Sequence, residues 1–122
     1  MYLKKTALIL FASLLLISCT KNLETQETSC ATNQPLKELV WLNNIKITFE
    51  QSTDASKKQI IQYTYKNESV FMIDPCVNCP DNLLTVYSCS GVKICEFGGI
   101  AGINTCPDFY EQATNKIILW EN

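Results

Sequence analysis

The chain has 122 residues and contains neither histidine nor arginine; its ten basic residues are all lysine. Without histidine there is no Ser-His or Cys-His pair to activate a nucleophile. Without arginine there is no planar fork to grip phosphate or carboxylate in two places. Ten lysines face twelve acids, so the basic footprint that nucleic acid requires is missing. Only four glycines occur, and they form neither a dinucleotide fingerprint nor a phosphate loop. No apolar run reaches the roughly 20 residues that a bilayer-spanning helix needs. These absences exclude the common catalytic triads, and they point away from nucleic acid and from any cofactor.

The longest apolar run lies at the start. Lys4 and Lys5 precede Ala7–Ile17, eleven residues interrupted only by Ser13. A charged n-region with a short h-region is the form of a secretory leader. The run ends Leu16-Ile17-Ser18-Cys19, which looks like a lipobox, the pattern read by lipoprotein signal peptidase. In such signals the cysteine thiol is acylated and the bond before it is cut. The expected organisation is therefore a leader over 1–18, an acylated Cys19 and a tether over 19–29. A single domain over 30–122 follows. One acyl chain binds a membrane marginally, but two or three, at about 0.8 kcal/mol per buried methylene, hold firmly. The expected location is the cell envelope, at the outer membrane, with the membrane as partner through the acyl chains. The mature chain would carry eight lysines against twelve acids, a net charge of −4.

Seven cysteines less Cys19 leave Cys30, Cys76, Cys79, Cys89, Cys95 and Cys106. An even number in an exported chain predicts a disulfide framework. Six cysteines pair in 15 ways, and spacing does not choose among them. One pairing is disfavoured. If Ser90-Gly91 is a two-residue turn, Cys95 lies opposite Val86, and Cys89 points to the other face, so Cys89 and Cys95 do not bridge.

Thr20–Ser29 is polar, aperiodic and suited to a tether. Pro35 to about Ser52 places Leu36, Leu39, Val40, Leu42, Ile45 and Phe49 at helical spacing, although 45–50 also alternates like a strand. β-Branched and aromatic residues predict strands over 59–65, 69–73, 83–89, 92–97 and 116–120. Pro107–Ala113 has room for one or two helical turns. The expected fold is α+β: one N-terminal helix packed on an antiparallel sheet of about five short strands, stapled by disulfides.

Several constellations compete for a function. Cys76-Val77-Asn78-Cys79 has the spacing of redox-active pairs, but prolines flank it and no helix follows. With Cys89 and Cys95 the same pair could offer four thiolates to zinc. Asp74, Glu96 and Asp108 are the carboxylates available for acid–base work, and nothing in their spacing joins two of them. Trp41, Tyr63, Tyr65, Tyr87 and Trp120 fit core and sheet packing. Gly98, Gly99 and Gly102 mark a loop with a permissive backbone, the candidate binding loop.

The pieces Gln62-Tyr63-Thr64-Tyr65, Asp74–Asp81, Val86-Tyr87-Ser88-Cys89, Cys95–Gly102 and Cys106-Pro107-Asp108-Phe109 resemble a family of small lipoproteins of unknown function from Bacteroidota. Leu36–Leu42 is also similar. The resemblance implies a secreted, lipid-anchored, cysteine-bearing domain and carries no activity. The leading expectation is a non-enzymatic envelope module, binding a protein or glycan or serving a structural role, with no catalytic residue, metal or cofactor. The alternatives are a thiol–disulfide or thiolate–metal protein built on Cys76 and Cys79, and an inhibitor of a secreted hydrolase.

Overall fold

A computed structural model describes Cys30 and residues 32–122. The expected leader and tether, with Cys19, lie outside the described residues.

The densest run of β-formers, residues 59–74, makes the centre of the sheet. β1 (Gln59–Tyr65) and β2 (Glu68–Asp74) pair from Gln59↔Asp74 to Tyr65↔Glu68. Lys66 and Asn67 both have positive φ (50° and 64°), the backbone that a two-residue hairpin turn demands. β3 (Leu83–Tyr87) pairs with β2, and β4 (Lys93–Gly98) pairs with β3. Val86 lies opposite Cys95, the register a two-residue turn requires, but a bulge follows and brings Lys93 opposite Tyr87. β6 (Thr114–Glu121) adds to the other side of β1 with two register shifts.

The expectation of one helix on about five strands needs correction. The fold is mainly a six-stranded antiparallel sheet, which in spatial order runs from β5 (Ile103–Asn104) through β4, β3, β2 and β1 to β6. The additional strand is β5, which pairs Phe97↔Asn104 and Gly98↔Ile103. A two-residue strand has no apolar period of its own; tertiary pairing makes it. The helical region is also shorter than the apolar stripe implies. Leu39 is extended (φ −92°, ψ 98°) and splits it into α1 (Pro35–Glu38) and α2 (Val40–Glu50). Residues 45–50, for all their alternation, are helical.

Both faces of the sheet are covered. On one, Ile61, Tyr65, Val70, Met72, Val86, Cys95 and Phe97 cluster with Phe109 of the short α3 (Phe109–Gln112). On the other, Ile60, Phe71 and Ile73 meet Leu42, with Leu36, Leu39, Trp41, Ile45 and Phe49 around them. This explains the near-continuous apolar run of β2, Val70–Ile73: alternate side chains enter different cores. The buried ammonium of Lys58 is satisfied by Asp54 at 2.5 Å and by Ser56.

Three disulfides staple the sheet: Cys30–Cys89, Cys76–Cys79 and Cys95–Cys106. The first ties the segment before α1 to the β3–β4 turn. There the Trp41 indole N–H donates to the Cys89 carbonyl at 2.9 Å.

Candidate functional site

The three candidate glycines fall at one end of the sheet, in a hairpin between β4 and β5. Gly102 N–H donates to the Gly99 carbonyl at 3.1 Å, closing a tight turn with Ile100 and Ala101 at its tip. Below the tip, Thr105 N–H donates to the Glu96 carbonyl at 3.1 Å, and Glu96 N–H donates to the Thr105 hydroxyl at 2.8 Å. The Cys95–Cys106 disulfide closes the base, with Cys95 only 1% exposed. No charged residue occurs from Phe97 to Pro107. Ile100 is 91% exposed. The result is an uncharged, braced hairpin that displays Ile100 at its tip, with Ile103 exposed to a lesser degree beside it.

A second loop supports it. Asp74 ends β2 and is 9% exposed. Its Oδ1 accepts from the Asn82 amide at 2.7 Å and from Cys76 N–H at 3.1 Å. The Asn82 carbonyl in turn accepts Gly99 N–H at 3.0 Å. The Cys76–Cys79 loop and the hairpin are therefore joined through Asp74 and Asn82. Asn82 has no side-chain pattern to mark it beforehand; its carbonyl matters only because the chain returns there. The aliphatic tip was also unmarked, since a single apolar residue among glycines carries no period.

Gly98 is the position where this contact demands glycine. Its φ is +90°, and a Cβ there would lie 2.3 Å from the Asn82 carbonyl oxygen. Gly102 also has positive φ (61°), but a Cβ there meets nothing within 4 Å. Gly98→Ala is therefore expected to cost at least about 2 kcal/mol, from backbone strain plus collision. Gly102→Ala is expected to cost only about 1 kcal/mol, from strain alone. Urea midpoints of the two variants check this; equal losses would contradict the close approach.

The three carboxylates have separate partners. Asp74 organises the loop just described, and Glu96 pairs with Lys93 at 2.7 Å. Asp108 accepts the Tyr65 hydroxyl at 2.8 Å and lies 3.7 Å from Lys66. The Tyr65 hydroxyl, aided by Lys66, holds the Asp108 carboxyl below its ordinary range. A depressed carboxylate pKa stabilises the fold above the unfolded value and loses that stabilisation as pH falls through the folded one. Stability should therefore decline below about pH 4, and less steeply in Asp108→Asn. Chemical denaturation across that range reads the difference.

The four sulfurs considered for zinc are all in disulfides, so a four-thiolate set does not assemble. Among the described residues, no group of three or more histidine, cysteine or acidic side chains is placed to hold a metal. Tyr63 and Tyr65 pack on Phe109, and Trp41 packs on Phe71 and Tyr87. Trp120 stacks near Phe49. A separate open cleft of about 370 Å³ lies beside the β1–β2 turn, lined by Thr64, Lys66, Asn67, Gln112 and Thr114.

The family model for DUF6970, a domain of unknown function, matches residues 46–122, more than half of the chain. The chain belongs to the DUF6970 family. The match begins within α2 and takes in all six strands, so the braced hairpin and the Cys76–Cys79 loop are parts of the DUF6970 domain. Cys30 and Leu39 precede it. No curated protein and no solved structure matches the chain.

Proposed function

We propose that this DUF6970 chain is an exported, lipid-anchored module of the cell envelope. It binds a partner through the braced hairpin and turns over no substrate. The observation that carries this reading is the cysteine arrangement. All six cysteines of the domain are paired, the state expected of an oxidising compartment. The seventh, Cys19, directly follows the expected leader, where lipoprotein processing requires it. The absence of histidine and arginine and the separate partners of Asp74, Glu96 and Asp108 support a binding role over catalysis. Pre-ordering of the hairpin by a disulfide and a tight turn lowers the entropic cost of binding.

Fractionation tests the anchor. The wild-type chain should enter the detergent phase with the envelope, and Cys19→Ala should leave it. Aqueous partition of the wild-type chain would sink the reading. For the binding element, Ile100→Glu changes an exposed side chain, so the fold should survive while partners cross-linked in the native envelope are lost. Retention of the same cross-links would place the binding surface elsewhere. The inhibitor reading is favoured by one feature, a disulfide-braced loop with an exposed tip suited to entering a cleft. Inhibition of an envelope hydrolase that Ile100→Glu abolishes would establish it; unchanged inhibition by that variant would remove the hairpin from it.

A further inference from the structure

We propose that the Cys76–Cys79 disulfide is a thiol–disulfide exchange site, able to take two electrons from envelope thiols while the domain stays folded. This goes beyond the binding role and rests only on the envelope location proposed above. The three disulfides have different tasks. Cys30–Cys89 joins positions 59 apart in sequence, and Cys95–Cys106 joins positions 11 apart with one sulfur in the core. Cys76–Cys79 joins positions only 3 apart. The stabilisation from a cross-link grows with the logarithm of the chain it closes, so this bond contributes least to folding.

The loop also has its own supports. Cys79 N–H donates to the Cys76 carbonyl at 3.1 Å, and Val77 N–H donates to the Lys57 carbonyl at 2.7 Å. Asp74 Oδ1 accepts from Cys76 N–H and from the Asn82 amide. None of these four bonds uses a sulfur. Opening the disulfide therefore leaves the loop in place and keeps the two thiols adjacent, poised to close again. Both cysteines are partly exposed at the rim of the sheet, within reach of an incoming thiolate.

The chemistry balances with thiols as reductant. A thiolate attacks one of the two sulfurs, forming a mixed disulfide. The Cys76–Cys79 bond breaks, and the released cysteine takes a proton. A second thiolate then attacks the donor-derived sulfur of the mixed disulfide. The donor leaves as its own disulfide, and the second cysteine is protonated. The domain is reduced by two electrons and two thiols are oxidised.

The test uses the full chain, purified oxidised from the envelope and titrated with dithiothreitol under native conditions. Alkylation and peptide mapping follow each pair. Cys76 and Cys79 should be alkylated at a rate roughly ten-fold or more above the other four cysteines. Circular dichroism should be unchanged, and oxidised glutathione should restore the bond. Opening of all three pairs together, opening of Cys76–Cys79 last, or failure to re-form it would overturn the proposal. The Cys76→Ser/Cys79→Ser variant should fold and lose only the fast phase. A variant that does not fold would show the bond to be structural and would also overturn it.

Discussion

Replacing Phe109 with alanine should destabilise the domain by about 3–5 kcal/mol. Phe109 is 0% exposed, and four rings surround it: Tyr65 at 5.0 Å, Phe97 at 5.3 Å, Tyr63 at 5.4 Å and Tyr110 at 5.6 Å between centroids. Two of these contacts are edge-on, the arrangement that aromatic quadrupoles favour. The helix that carries Phe109 has only four residues, far too few to form alone. The aromatic side chain therefore seats the whole segment from Cys106 to Ala113 on the sheet, with the Asp108–Tyr65 bond beside it. Phe109→Leu, which keeps much of the volume, should cost less. Urea unfolding measures both, and a loss under about 1 kcal/mol for Phe109→Ala would contradict this packing.

Removing the Cys30–Cys89 bridge as Cys30→Ala/Cys89→Ala should cost about 4 kcal/mol, the chain-entropy value for a loop of this length. Folded-state contacts point the same way. The helical segment has no strand partner and meets the sheet through its apolar stripe and the Trp41–Cys89 bond. Released at Cys30, it should fray before the sheet. Hydrogen exchange should show lost protection in α1 and early α2 while β1 and β2 stay protected. The matching loss at Cys76–Cys79 should be the smallest of the three bridges. Equal losses at all three would argue against ranking them by loop length.

How far the fold could be read beforehand depends on where each signal resides. β1 and β2 announce themselves because β-branched and aromatic residues dominate them and turn residues separate them. Val86↔Cys95 agrees with a two-residue turn only because a bulge intervenes: nearer the turn Tyr87 lies opposite Lys93, and Ser88 N–H donates to the Val92 carbonyl. β5 does not announce itself, because two residues carry no period and exist as a strand only beside β4. The break at Leu39 sits within an unbroken apolar stripe; it lets Leu36 and Leu39 join the same core as Leu42. Of the site, Gly98, Gly99 and Gly102 are visible as permissive residues. The reason Gly98 must be glycine is not, since the Asn82 carbonyl that approaches it comes from the loop before β3. The disulfide pairing was open for the same reason: spacing cannot say which of six cysteines become neighbours.

Intact mass and non-reducing peptide mapping of the chain isolated from the envelope bear most directly on the account. The expected product begins at Cys19, carries acyl chains there, and yields Cys30–Cys89, Cys76–Cys79 and Cys95–Cys106 as its disulfides. A chain that keeps Met1, or begins at an unmodified residue, or joins Cys19 to one of the other six, would contradict it.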